Sequence, residues 1–276
     1  MKEYYINDAG GQILTLLKSA YLRYLQSLGR SVDFVEGLYP GEYLIEIGEK
    51  LKQQFQESLA DKSADEYLPK IRDFVINEML NLIKSDLLAL GIKHDSYFSE
   101  KTNLHDQNKI EETLKILEKQ DLIYVGKLEA PKTEKGVGAL PEGYDDQDQT
   151  LFRSTKFGDD QDRVVKKSDG TPTYFGADLA YIRSKFERGA RIFIMPLGFD
   201  HSGYIKRLTS ATSALTNNQA QLKIILCQMV KFVKNGEPLK MSKRAGNFIT
   251  AREVIDEVGA DVLRFIMLTR KNDAPF

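Results

Sequence analysis

A nearly continuous apolar run at residues 192–197, Ile-Phe-Ile-Met-Pro-Leu, constrains the fold of this chain more than any other feature. Such a run is typical of a strand buried on both faces, as in a parallel sheet covered by helices. Gly198 and Asp200 follow directly. Ligands bind at the carboxyl ends of such strands, where glycine allows a nucleotide to approach and an acid accepts hydrogen bonds from ribose. The pattern predicts an α/β fold with both residues in a nucleotide site. His201 either belongs to the same site or makes a structural hydrogen bond at the start of the next helix.

Strand and helix patterns alternate along much of the remaining chain. Residues 2–6 predict a short strand, and Asn7–Gly11 is a turn that leads into a helix over about 12–28. Other amphipathic patterns predict helices that serve packing, over about 41–59, 65–90 and 106–120. Further strands are predicted over 122–125, 151–157 and 223–230.

An Asp-Gly pair at residues 169–170 lies between two β-forming runs and predicts a hairpin over 163–175. A helix is predicted to follow over about 177–188. Tyr174 and Asp178 stand four residues apart at its entrance, so a hydroxyl and a carboxylate can point the same way into a pocket. Asp178 either binds a cationic ligand or is a helix-start acid that the dipole favours.

The segment Lys-Met-Ser-Lys-Arg at 240–244 is the second chemical motif. Turn-forming Asn-Gly pairs bound it at 235–236 and, reversed, at 246–247, which lets a loop project. Residues 231–252 hold six cations and one acid, a local excess that attracts polyanions. We predict that Lys240 and Lys243 stabilise the charge that grows on the phosphates when pyrophosphate is displaced from ATP. The alternative is a solvated basic loop.

Composition excludes several classes of protein. The net charge of −1 means that any contact with nucleic acid needs a local basic patch. One cysteine excludes an intramolecular disulfide framework and a multi-cysteine zinc site. Acids at residues 142, 145, 146 and 148 lack the spacing of a metal site, so we expect a solvated loop and no bound metal. Neither a membrane span nor a signal peptide is evident, and we expect a cytoplasmic protein.

Four motifs together are similar to those of the class I aminoacyl-tRNA synthetases. They are Tyr-Ile-Asn-Asp-Ala-Gly at 5–10, Asp-Gly-Thr-Pro-Thr-Tyr-Phe-Gly-Ala-Asp at 169–178, Gly-Phe-Asp-His-Ser-Gly-Tyr at 198–204, and the lysine motif. Their order and spacing resemble a bacterial arginyl-tRNA synthetase. The resemblance covers nearly the whole chain and is weakest between about residues 31 and 144.

The resemblance implies a partial Rossmann-like class I synthetase catalytic core with a helical insertion. We expect core at 1–30, a mostly helical inserted region at 31–160, core again at 161–250, and at 251–276 the start of a helical region leading to an anticodon-binding domain. The implied substrates are arginine, ATP with Mg²⁺, and tRNA(Arg), and a monomer is expected. The implied ATP-binding residues are Gly198, Asp200, His201, Lys240, Met241 and Lys243, and the implied arginine-binding residues are Asn7, Asp8, Gln12, Tyr174 and Asp178.

Two family elements are missing from the sequence. A His-x-Gly-His element would precede Asn7 by some tens of residues, and a helical anticodon-binding domain would follow Phe276. The family also has a small residue where Phe199 stands and a tryptophan before Gly198, and this chain has no tryptophan. We therefore expect an internal piece of a larger enzyme. Two alternatives stay open: a catalytically silent form that binds arginine, RNA or a partner protein, and a synthetase for another amino acid.

Overall fold

The computed structural model describes residues 1–128, 147–230, 232–234, 237–238, 241 and 248–272. The strands within these ranges are β1 (Glu3–Ile6), β2 (Ser96–Ser99), β3 (Ile123–Gly126), β4 (Gln149–Phe152), β5 (Arg163–Lys166), β6 (Ile192–Gly198), β7 (Gln221–Cys227), β8 (Val233–Lys234) and β9 (Glu237–Pro238). The α-helices are α1 (Gly11–Ser27), α2 (Tyr43–Phe55), α3 (Ala64–Ala89), α4 (Lys109–Lys119), α5 (Tyr174–Glu187), α6 (Ile205–Thr216), α7 (Ala251–Val258) and α8 (Ala260–Leu268). A π-helical turn spans Lys101–His105, and 3-10 turns span Ser154–Phe157 and Phe199–Tyr204.

The chain divides into two units. The first comprises Met1–Ser99 and Lys231–Lys271, and the second comprises Glu100–Val230 and Asn272–Phe276. Among the described residues, each unit contains one pair of parallel strands, β1 with β2 and β6 with β7. Within the described ranges, no helix combines the length and the apolar character needed to cross a bilayer.

The first unit is built on a helical core. Apolar side chains of α1, α2 and α3 form one cluster, whose fully buried members include Tyr24, Leu44, Leu51 and Val75. Gly48 lets α1 and α2 approach closely, because a Cβ atom there would lie 2.6 Å from the backbone carbonyl carbon of Arg23. Beside this core, β1 and β2 pair in parallel with Ile6 opposite Ser99.

Two sheets lie in the described part of the second unit. Strands β3, β4 and β5 form an antiparallel sheet, and β6 pairs with β7 in parallel from Ile192–Gln221 to Gly198–Cys227. Ile192, Ile194 and Ile225 are exposed. The apolar run therefore forms the predicted strand, but alternate side chains reach solvent instead of being buried on both faces.

Three local predictions need correction. Residues 96–99 form β2, which was not predicted, and 154–157 form a 3-10 turn where the predicted strand continues. The hairpin at 163–175 turns as predicted, with the Lys167 amide donating to the Thr171 carbonyl at 2.9 Å and the Thr173 amide to the Val165 carbonyl at 3.0 Å, but its second arm ends at Thr173. Instead α5 begins at Tyr174, because the Thr173 hydroxyl accepts a hydrogen bond from the Gly176 amide at 3.2 Å and caps the helix.

Candidate active site

The candidate residues of the first unit surround the carboxyl end of β1. Asn7 and Gln12 are exposed, whereas Asp8 is only 7% exposed. Ser99, the last residue of β2, donates a hydrogen bond from its hydroxyl to Asp8 Oδ2 at 2.6 Å. The Arg72 guanidinium donates to the Asp8 backbone carbonyl. Two amide side chains therefore flank an acid that is held inside the protein.

The start of α5 carries the second group of candidates. Tyr174 and Asp178 lie one helical turn apart and so share a face of the helix. Tyr174 is 55% exposed, and Asp178 is half-buried. The helix start is fixed against β5, because Thr173 Oγ1 donates to the Val164 carbonyl at 2.9 Å while it caps the helix. An exposed hydroxyl near a partly covered carboxylate is suited to a cationic ligand with several N–H donors.

Gly176 sets how closely α5 approaches β5. A Cβ atom at this position would lie 2.6 Å from the Val165 carbonyl oxygen, well inside normal contact. The first turn of α5 can therefore rest on this strand only when residue 176 lacks a side chain. Gly176 thus controls the position of Tyr174 and Asp178 without carrying a functional group.

The third group lies at the carboxyl end of β6. Gly198 ends the strand opposite Cys227, and the 3-10 turn Phe199–Tyr204 follows. Asp200 and His201 are exposed, with His201 Nε2 at 3.7 Å from Asp200 Oδ2. The His201 ring also lies edge-on to Tyr204, with ring centroids 5.6 Å apart. Glycine, carboxylate and imidazole therefore lie together at the carboxyl end of a strand, where open α/β folds bind ligands.

The phosphate-binding candidates are described only in part. Lys240 and Lys243 lie outside the described residues, as do Glu142, Asp145 and Asp146 of the acidic segment. Met241 of the lysine motif is 44% exposed. The described candidates thus belong to two groups: Asn7, Asp8, Gln12 and Met241 in the first unit, and Tyr174, Asp178, Gly198, Asp200 and His201 in the second.

Two residues that hold Asp8 in place were not predicted from the sequence. Ser99 and Arg72 contact Asp8 across 91 and 64 positions of the chain. Neither contact has a local signal, because both depend on the pairing of β2 with β1 and on the packing of α3. A strand predicted after the long helix α3 would have placed Ser99 at a strand end, but no strand was predicted at residues 96–99.

Comparison with known proteins identifies the relatives of this chain. Residues 178–274 match the model of the family described as class I tRNA synthetases (I, L, M and V). An arginine–tRNA ligase from Ruegeria pomeroyi is 51% identical over 274 residues, which cover 99% of this chain and 46% of that protein. An arginine–tRNA ligase from Rickettsia rickettsii is 49% identical over 274 residues, with the same coverage of 99% and 46%. The chain thus spans about half the length of these relatives.

Two solved structures that are similar to this chain are arginyl-tRNA synthetases. An arginyl-tRNA synthetase structure from Campylobacter jejuni has a TM-score of 0.80 and 36% identity, over 99% of this chain and 55% of that one. The Thermus thermophilus arginyl-tRNA synthetase, at 17% identity and a TM-score of 0.56 over 99% of this chain and 48% of that one, shows the shared fold. The predicted α/β class with a Rossmann-like core is confirmed. Over the part of the family's length that it spans, this chain is similar to the arginyl-tRNA synthetases.

Proposed function

We propose that this chain carries arginine, ATP and tRNA(Arg) sites of an arginine–tRNA ligase. In the proposed reaction the arginine carboxylate attacks the α-phosphorus of ATP and pyrophosphate leaves. A hydroxyl of the terminal adenosine of the tRNA then attacks the arginyl carbonyl, and AMP leaves. The observation that carries the proposal is the 51% identity to an arginine–tRNA ligase over 99% of the chain. The chain spans 46% of that relative, so activity of this chain by itself is part of what needs testing.

We assign the guanidinium of arginine to Asp178 and Tyr174. A planar guanidinium presents several N–H donors, and a carboxylate accepts two of them at once. Half-burial of Asp178 supports this role, because partial removal from water strengthens a charge-assisted hydrogen bond. Tyr174 lies on the same face of α5 and can hydrogen-bond nearby. Asn7 and Gln12 are assigned to the same substrate.

We assign the nucleotide to two other sets of residues. At the end of β6, Asp200 accepts from the ribose hydroxyls, with His201 beside it, and Gly198 carries no Cβ that would press on the Asp200 carboxylate. Lys240 and Lys243, with Met241 between them, are assigned to the phosphates. Their ammonium groups would stabilise the charge on the departing pyrophosphate. Mg²⁺ would enter with ATP as part of the substrate, bound by phosphate oxygens.

Arginine-dependent exchange of pyrophosphate into ATP tests the first step. The assay is run with and without tRNA(Arg), on the chain as it stands and on Lys243→Ala. Exchange that disappears in Lys243→Ala supports the ligase. A well-folded chain with no exchange in either condition contradicts activity of this chain by itself.

Calorimetric titration with arginine separates the second candidate function, binding without catalysis. Asp178→Asn is expected to weaken arginine binding at least tenfold, because a charged hydrogen-bonding partner is lost. Glu187→Gln is the matched control, since Glu187 is an acid on the same helix that pairs with Arg183 at 2.6 Å. Arginine binding that depends on Asp178, without exchange, supports the silent binder. Unchanged binding in Asp178→Asn supports a different amino acid as substrate.

A further inference from the structure

The turn between β1 and α1 has an unusual distribution of side chains. Asn7 and Gln12 are exposed, yet Asp8 between them is almost fully buried. A buried carboxylate is costly unless it is paired and hydrogen-bonded. Asp8 accepts a hydrogen bond on its side chain inside the protein, and its 7% exposure leaves little of the carboxylate open to a substrate ammonium or guanidinium.

Asp8 is held through both its side chain and its main chain. The parallel register places Ile6 opposite Ser99, and the Ser99 hydroxyl donates to Asp8 Oδ2 at 2.6 Å. From α3, the Arg72 guanidinium donates to the Asp8 carbonyl. The two contacts come from different elements, so together they oppose both rotation of the side chain and tilting of the peptide plane.

The turn itself has backbone freedom that these contacts remove. Gly10 has φ of +94°, a conformation that glycine adopts readily, and α1 begins at the next residue without a side-chain cap. A turn that ends in glycine loses much conformational entropy when it is ordered. Asn7 and Gln12 lie on either side of the fixed residue, so their positions depend on how firmly Asp8 is held.

We propose that Asp8, Ser99 and Arg72 form an anchor that positions Asn7 and Gln12 for the arginine substrate. Asp8 itself is then a positioning residue with no direct contact to arginine. The inference rests on the proposed function, because it takes arginine as the ligand of the two amides. The inference goes further because it assigns roles to Ser99 and Arg72, which lie outside the family motifs.

The main test compares two serines of the same strand. Ser99→Ala removes the hydrogen bond to Asp8, and Ser96→Ala removes a similar bond at the other end of β2, from the Ser96 hydroxyl to Glu3 Oε2 at 3.0 Å. By calorimetry, Ser99→Ala is expected to raise the Kd for arginine about 5- to 10-fold, typical of a bond to a charged group. Ser96→Ala is expected to change the Kd less than about twofold, and Ser99→Thr, which keeps the hydroxyl, to restore binding.

A double-mutant cycle separates positioning from general destabilisation. If Ser99 acts through Asn7, Asn7→Ala costs less affinity in the Ser99→Ala background than in the original chain, although the Ser99 hydrogen bond is made to Asp8 and not to Asn7. Strictly additive losses would overturn the proposal. So would equal effects of Ser96→Ala and Ser99→Ala on the Kd.

The anchor is also testable if the chain binds no arginine, a result that would count against the proposed function alone. In ¹⁵N-labelled protein the side-chain amide signals of Asn7 and Gln12 report the order of the turn. Ser99→Ala and Arg72→Lys are expected to broaden or shift both signals, and Ser96→Ala to leave them in place. Signals that do not respond to Ser99→Ala in folded protein would overturn the anchor.

Discussion

Arg163 and Asp159 form a two-pronged ion pair in the second unit. Arg163 Nε donates to Asp159 Oδ2 at 2.8 Å and Nη2 donates to Oδ1 at 2.6 Å, and the two side chains are 10% and 0% exposed. Burial acts to raise the pKa of Asp159, but the hydrogen bonds and charge of Arg163 outweigh it, so the pKa lies below its ordinary value. The pair fixes the loop between the 3-10 turn at 154–157 and β5.

Removing the carboxylate is expected to cost much of the stability of this unit. Asp159→Ala leaves the Arg163 charge buried without its main partner, for which losses of about 3–5 kcal/mol are typical. Asp160 also contacts Arg163, but its side chain is 58% exposed, so Asp160→Ala is expected to cost less than about 1 kcal/mol. Urea unfolding at neutral pH measures the free energy of unfolding of both variants. Equal losses in the two would contradict the idea that burial makes the Asp159 contact the stronger one.

The same pair predicts how stability depends on pH. Because the pKa of Asp159 is lower in the folded state, its contribution is fully present above the unfolded value of about 3.9. The contribution is lost as the pH falls through the folded value. The difference in unfolding free energy between the original chain and Asp159→Asn should therefore be constant from pH 7 to 5 and shrink below about pH 4. A difference that does not shrink as the pH falls below about 4 would contradict this origin.

The start of α3 has a titratable capping box. The Ser63 backbone amide, Lys62 and the Ser63 hydroxyl hydrogen-bond to Glu66 and lower its pKa to about 2. The stabilisation is thus present above the unfolded value and lost as the pH falls through about 2. In a carbon NMR titration, Ser63→Ala should raise the pKa of Glu66 towards its ordinary value of about 4.3. The Ser58 hydroxyl donates to the Phe55 carbonyl instead, so Ser58→Ala should leave the pKa of Glu66 unchanged.

Helix packing in the first unit predicts opposite effects at two glycines. Gly48→Ala should destabilise the protein by about 1–3 kcal/mol, because the new methyl group meets the Arg23 backbone in a packed core. Gly11 lies in α1 with open space around its Cβ position, so Gly11→Ala should be neutral or stabilise the helix by up to about 1 kcal/mol. Thermal unfolding of the two variants distinguishes these effects, and a neutral Gly48→Ala would show that α1 and α2 can separate freely.

Gly176 predicts an effect on affinity without any change of a functional group. A methyl group at Gly176 would press on the Val165 carbonyl and displace the first turn of α5, so Gly176→Ala should weaken arginine binding several-fold. Ala180→Gly weakens the same helix by about 1 kcal/mol and leaves that contact intact. Calorimetry should therefore show near-original affinity for Ala180→Gly. If both variants bind equally, the position of Tyr174 and Asp178 does not depend on this contact.

Local patterns predicted the elements that are stabilised locally. The turn after β1 is followed by α1, as predicted, and α7 has a local cap of the same kind, with Thr250 Oγ1 accepting from the Glu253 amide at 3.1 Å. Both depend on residues within a few positions of each other. The hairpin at 163–175 turns as predicted, but its second arm stops at Thr173, because the Thr173 cap draws Tyr174 into α5 in competition with strand pairing.

Local patterns could not predict the part of the site that depends on contacts between residues far apart in the sequence. The burial of Asp8 follows from Ser99 and Arg72, whose contacts exist only after β2 and α3 have packed. Spacing indicated which side chains carry suitable chemistry, namely Tyr174, Asp178 and the lysines. It could not indicate which of them face solvent. The roles of Lys240 and Lys243, and the four-part division of the chain, stay predictions.

The parallel pairing of β1 with β2 has a consequence for synthesis of the protein on the ribosome. The turn at Asp8 is synthesised well before its partner Ser99, which follows 91 residues later. Contacts between such distant residues form only after the intervening chain has been ordered or looped. This part of the candidate site therefore stays incomplete until at least 91 further residues have been synthesised, and until then Asp8 is an exposed acid on the nascent chain.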